Sequence, residues 1–106
     1  MNDMSYGLRE EVISKINNVF ARFEKVESAI LYGSRAKGTF HNGSDIDLAL
    51  TGQGLALQDL LEIKVELEEL NMPYEIDVCI LEQVSNQGLA QHIEGVGIVF
   101  YERRCV

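Results

Sequence analysis

Leu31-Tyr32-Gly33-Ser34-Arg35-Ala36-Lys37-Gly38 and, after a short polar gap, Ser44-Asp45-Ile46-Asp47-Leu48-Ala49-Leu50-Thr51 are the stretches that decide how this chain folds. Over residues 45–51 the chemistry alternates: Asp45, Asp47 and Ala49 fall on one side, Ile46, Leu48 and Leu50 on the other. A period of two is that of a strand, so the segment reads as a half-buried strand with two carboxylates on one face. The apolar run Ser28–Tyr32 reads as the strand before it, ended by Gly33-Ser34, and residues 35–44 as a polar loop between them.

Outward from that pair the pattern turns helical. Leu8, Val12, Ile13, Ile16, Val19, Phe20 and Phe23 recur at helical spacing and predict an amphipathic first helix, with Ser5 placed to cap it. Residues 55–70 predict a second helix whose apolar side carries Leu57, Leu60, Leu61, Ile63, Leu67 and Leu70. Met72-Pro73 stops it, because the residue before proline disfavours helical backbone. Residues 75–81 alternate again, with Asp77 on one face and Ile76, Val78 and Ile80 on the other. A short helix within 84–93 and an edge strand over 97–101 complete the order. The expected architecture is an α/β (α+β mixed-sheet) domain over residues 1–106, with about four strands flanked by helices.

Composition narrows the function. The chain has 106 residues, 46% of them hydrophobic, enough for one core without disulfides. Its two cysteines, Cys79 and Cys105, form no C-x-x-C pair, which argues against zinc or redox chemistry and for a reducing, cytoplasmic setting. Cys79 reads as a buried, inert thiol. No apolar run is long enough to span a bilayer, and the first residues do not read as a secretory signal. Seventeen acidic against nine basic residues give a net charge of −8, which disfavours stable nucleic-acid binding. A mononucleotide is compatible, since metal ions neutralise phosphates locally.

Three features converge on phosphate chemistry. Glycine at position 33 permits a sharp turn with backbone N–H groups close to an anion, and Ser34 adds a hydroxyl. Arg35 and Lys37 bring positive charge near that turn. Asp45 and Asp47, two apart on a strand, share a face and would repel one another unless a hard divalent cation lay between them; oxygen ligands suit Mg²⁺. Asp77 stands alone among apolar neighbours on another strand, and a buried carboxylate there would need a partner. If the two strands are adjacent, Asp45, Asp47 and Asp77 can hold two Mg²⁺ ions, an arrangement suited to phosphoryl transfer. Taken singly, Gly33-Ser34 is more often a plain turn, Asp45-x-Asp47 a solvated strand end and Asp77 an ion-pair partner; the argument rests on their combination. His92 reads as a helix-surface residue, and Tyr6, Tyr32, Tyr74 and Tyr101 as packing groups.

Gly33-Ser34, ten residues, then Asp45-x-Asp47 resembles the signature of the DNA polymerase β-like nucleotidyltransferases. The fuller Gly33-Ser34-Arg35-Ala36-x-Gly38 and Ser44-Asp45-Ile46-Asp47-Leu48, with Asp77 in Glu75-Ile76-Asp77-Val78, is similar to the minimal nucleotidyltransferase group, as is the ending from Ile93-Glu94-Gly95 to Tyr101-Glu102-Arg103. The resemblance implies that Asp45, Asp47 and Asp77 are the catalytic, metal-binding carboxylates, and that Gly33, Ser34, Arg35, Lys37 and Ser44 contact the nucleotide. It also implies ATP as substrate and a cognate HEPN-type ribonuclease toxin as partner, silenced by transfer of AMP to its tyrosine hydroxyls. Two other functions stay open at this level: an antitoxin that binds its partner without catalysis, and nucleotidyl transfer to RNA or a small molecule. The edge strand also leaves a homo-oligomer open.

Overall fold

The computed structural model describes residues 4–103; Cys105 lies outside them. The chain opens with a two-residue hairpin, β1 (Met4–Ser5) and β2 (Leu8–Arg9), turned by Tyr6 and Gly7 at φ of 59° and 75°. Two positive φ values in succession suit the twist of a tight hairpin. Ser5 is therefore a strand residue, and the expected Ser5 cap does not form: helix α1 (Glu10–Ala21) starts from Arg9 without a side-chain cap. Glu10 and Glu11 in its first turn complement the helix dipole instead.

The remaining elements are β3 (Ser28–Tyr32), the single helical turn α2 (Ser34–Lys37), β4 (Ile46–Thr51), α3 (Leu57–Glu68), β5 (Ile76–Ile80), a 3₁₀ turn at Leu81–Gln83, α4 (Gln87–Val96) and β6 (Ile98–Glu102). Strands β3 to β6 form one mixed sheet in the order β5-β4-β3-β6. β3 runs antiparallel to both β4 and β6, and β4 pairs with β5 in parallel. The last strand is indeed an edge, and the architecture is the expected mixed sheet with helices.

Alternation along the strands builds two apolar layers. Ala29, Leu31, Ile46, Leu48, Leu50, Val78 and Ile80 pack with Ile16, Val19 and Phe20 of α1 and Ile63 and Leu67 of α3. On the other face Tyr32 and Ala49 meet Ile93 of α4, with Ile30, Cys79, Leu89 and Val96 around them. Asp47 precedes Ala49 by two residues and Asp77 precedes Cys79 by two, so both carboxylates belong to the α4 face. α3 differs from its expected packing. Leu57 and Leu61 are 62% and 49% exposed, because the core takes the Ile63–Leu67 side of the helix, and Val65 is 56% exposed beside them. Among the described residues no helix is long and apolar enough to cross a membrane.

Two devices tie the ends together. Asn86 accepts the Leu89 N–H at 3.0 Å and so caps α4. The Arg103 guanidinium, just past β6, donates to the carbonyls of Phe23 (2.8 Å) and Val26 (3.0 Å), and more loosely to those of Phe20 and Ala21. It thereby ties the end of β6 to the last turn of α1 and the segment that follows it.

Candidate functional site

The site begins at the Tyr32–Gly33 junction. Gly33 has φ 76°, ψ −156°, backbone that an L side chain seldom adopts. A Cβ there would also collide with the Asp47 carboxylate, so glycine is required on two counts. The turn leads into α2, where the Lys37 N–H closes onto the Gly33 carbonyl at 3.1 Å. The N–H groups of a first helical turn have no intrahelical partner, which suits them to an anion. Gly38, at φ 83°, ends the turn in the left-handed region.

Register brings the acids together. Tyr32 pairs with Asp47 across β3–β4, and Asp47 pairs with Asp77 across β4–β5, so the three residues form a row over three strands. Adjacent strands lie about 4.8 Å apart. Asp45 sits one residue before β4, on the same side as Asp47. Burial pushes the Asp47 carboxyl up, and the charges of Asp77 and then Asp45 push it further; His92 opposes them. Asp77 is exposed, contrary to the buried position expected for it, because β5 is an edge strand. The Tyr32 hydroxyl is turned to the Cys79 thiol at 3.7 Å, and burial with that contact drives its pKa far upward. Burial likewise raises the half-buried Cys79 thiol. Neither group offers an ionised nucleophile at neutral pH.

Arg35 and Ser44, expected at the nucleotide, make contacts that organise the loop. The Arg35 side chain is only 2% exposed. Its Nε and Nη2 donate to the Ser44 carbonyl at 3.2 and 2.9 Å, and Nη1 donates to the Tyr6 carbonyl at 2.8 Å. The guanidinium lies 5.3 Å from the Phe40 ring centroid and 5.1 Å from that of Tyr74, within range of cation–π attraction. Three of its N–H donors are thereby used inside the fold. Ser44 is itself buried, and its hydroxyl accepts the His41 N–H at 2.9 Å. Lys37 is exposed at the end of α2.

His92 is the residue that sequence reasoning missed. It is no plain surface side chain: its Nε2 accepts the Gly33 N–H at 3.1 Å, and its ring stands edge-on to Tyr32 with centroids 6.2 Å apart. One signal was available, since His92 shares a helical face with Leu89 and Val96 of the buried stripe.

The donor set fits magnesium. Three carboxylates offer hard oxygens, and the upward push on Asp47 is the strain that a cation would relieve. Among the described residues no group of three or more histidine, cysteine, aspartate or glutamate side chains is placed so that it could by itself hold a metal ion. Mg²⁺ usually takes one or two carboxylates together with substrate phosphates and water, so an open row is the appropriate form.

Comparison with known proteins bears on the family and the fold. The family model described as polymerase beta, nucleotidyltransferase matches residues 14–105. A search of curated proteins gives no match. Among solved structures, a chain of a toxin–antitoxin complex with AMP-PNP is 24% identical, with a TM-score of 0.68 over 92% of this chain and 76% of that one. A chain of the MntA–HepT toxin–antitoxin structure is 18% identical, with a TM-score of 0.66 over 90% of this chain and 74% of that one. A chain from the complex of tri-AMPylated Shewanella oneidensis HEPN toxin with MNT antitoxin is 19% identical, with a TM-score of 0.65 over 89% of this chain and 72% of that one. At these identities the likeness is one of fold.

Proposed function

The chain belongs to the polymerase beta nucleotidyltransferase family, and from that premise we propose that it transfers AMP from ATP to a hydroxyl on a partner protein, a tyrosine of a HEPN-type toxin, and so acts as its antitoxin. The observation that carries the reading is the in-register pairing of Asp47 with Asp77 beside the Gly33 turn. The fold likeness to chains of toxin–antitoxin complexes, one of them with an AMPylated toxin, supports the choice of partner.

In this reading the Gly33 turn brings Ser34 to the triphosphate, which it holds through its backbone N–H and hydroxyl, with exposed Lys37 adding charge. Asp45, Asp47 and Asp77 would hold two Mg²⁺ ions. Magnesium held by these carboxylates would neutralise the triphosphate and lower the pKa of the acceptor hydroxyl. The acceptor oxygen attacks the α-phosphorus. A phosphorus–oxygen bond forms as the bond to the bridging oxygen of pyrophosphate breaks. Pyrophosphate leaves with that electron pair, and the hydroxyl proton passes to solvent. Arg35, acting through Ser44 and Tyr6, keeps the loop before Asp45 in place.

The test is incubation with ATP labelled at the α-phosphate, Mg²⁺ and the protein encoded beside this one. A covalent label on that protein, lost in Asp47→Asn, is the expected result. Inhibition of the partner without label indicates a binding module, and label on RNA alone indicates a different acceptor class; either outcome defeats the proposal. Isothermal titration of Mn²⁺ in the presence of AMP-PNP provides a readout independent of turnover, with weaker metal binding expected for the Asn variant.

A further inference from the structure

The turn at Gly33 is gripped from a distant part of the chain. His92, on α4, accepts the Gly33 N–H with its Nε2 at 3.1 Å. We propose that His92 is a positioning residue for nucleotide binding: it fixes the Tyr32–Gly33 peptide in the orientation that receives a triphosphate and does not itself touch the nucleotide. The inference rests on the nucleotidyltransferase reading above and adds what preorganises its phosphate site.

A restraint is needed at this point. Glycine has more backbone freedom than any other residue, and Gly33 stands at φ 76°, ψ −156°. The β3–β4 pairing ends at Tyr32, so the ladder does not extend to the residue after it. Two contacts hold it instead. The Gly33 carbonyl accepts the Lys37 N–H at 3.1 Å, and the Gly33 N–H is taken by His92. With both of its backbone polar groups engaged, the glycine keeps one conformation before any ligand arrives. Ordering completed on folding is not subtracted from the affinity for the ligand. Ser34 follows directly, so the direction in which it meets the triphosphate depends on that glycine.

The His92 side chain is itself well supported. Asn86 caps α4, and buried Ile93, next to His92, packs with Tyr32 and Ala49. At the helix end Gly97 approaches β3 so closely that a Cβ would collide with the Ile93 carbonyl and the Ile30 side chain. β6 follows at once and pairs with Ile30 and Leu31 of β3. α4 is thus locked to the strand that ends in the turn. The His92 ring stands edge-on to Tyr32, centroids 6.2 Å apart, which sets its plane. A group that positions a binding site needs such a locked side chain. Packing of α4 on the sheet would be served by any ring; the bond to Gly33 requires an acceptor at the ring tip.

Two variants separate these roles. His92→Phe keeps a ring beside Tyr32 and removes the acceptor. His92→Gln removes the ring and returns an acceptor at similar reach. Each is titrated with AMP-PNP and Mg²⁺ by calorimetry, followed by amide hydrogen exchange at Gly33 and by thermal unfolding, and assayed for ATP KM and kcat with the partner protein as acceptor. His92→Phe is expected to weaken AMP-PNP binding roughly tenfold, because the turn N–H loses its partner. ATP KM should rise with it while kcat changes by less than about threefold. Exchange at Gly33 should quicken. His92→Gln should restore AMP-PNP affinity to within about threefold of the parent and slow that exchange again. Parental AMP-PNP affinity in His92→Phe overturns the proposal, as does equal weakening in both variants, which would assign the effect to the ring. Should His92→Phe fail to fold, a folded His92→Gln protein decides: tenfold weaker nucleotide binding with Gly33 still protected overturns the proposal. An unmodified chain that binds no AMP-PNP defeats the nucleotidyltransferase reading itself, a result distinct from all of these.

Discussion

Asp47 is a carboxylate held at a cost to the fold. Its pKa is raised, first by burial and then by Asp77 and Asp45. Between the ordinary aspartate value of about 4 and the raised value, the folded state binds more protons than the unfolded one, and stability falls as pH climbs through that window. Asp47→Asn removes the penalty. At pH 7 its melting temperature should equal or exceed that of the parent while transfer disappears; a drop of several degrees would mean that the ionised carboxylate makes a stabilising contact. The prediction for Gly33→Ala is the opposite in kind. Its Cβ meets the Asp47 carboxylate at a φ of 76°, so AMP-PNP binding measured by calorimetry should be lost even in a folded protein. The facing of Asp45 and Asp47 was readable because a strand alternates strictly. The roles of Arg35 and His92 were not. Their partners are the Ser44 and Tyr6 carbonyls and the Gly33 N–H, and backbone groups leave no trace in residue identity.

Among the elements, α3 separates apolar periodicity from burial. Leu61 and Ile63 both read as core, yet only Ile63 is buried. Ile63→Ala should therefore cost about 2–4 kcal/mol in chemical denaturation, and Leu61→Lys within about 0.5 kcal/mol. Helical spacing defines an apolar side; which edge of a broad side meets the sheet depends on the crossing of α3 over β4 and β5. The same holds for β5. Its alternation put Asp77 on one face, but the parallel register that sets it opposite Asp47 is a pairing between distant segments, which no local pattern encodes. The first turn was misread for a different reason: Tyr6-Gly7 makes a hairpin, and that turn chemistry outranked a serine cap. At the other end, Arg103 holds four carbonyls near the close of α1. Arg103→Ala should lower unfolding free energy by about 1–3 kcal/mol, with no change in nucleotide affinity.

At the scale of the molecule, a net charge of −8 governs how partners approach. Association with a basic protein should be steered electrostatically, so its rate constant, measured by stopped flow, should fall as salt rises while the dissociation rate changes far less. A rate indifferent to ionic strength would remove charge from the account of partner choice. The chain order of the row has its own consequence. Gly33, Asp47, Asp77 and His92 meet from β3, β4, β5 and α4, elements separated by long stretches of sequence. During synthesis the early half of the polypeptide carries the glycine turn and two acids but not the strand that completes their register. A nascent chain on the ribosome thus cannot assemble this row until α4 has emerged, and the site is completed as a single late event in translation.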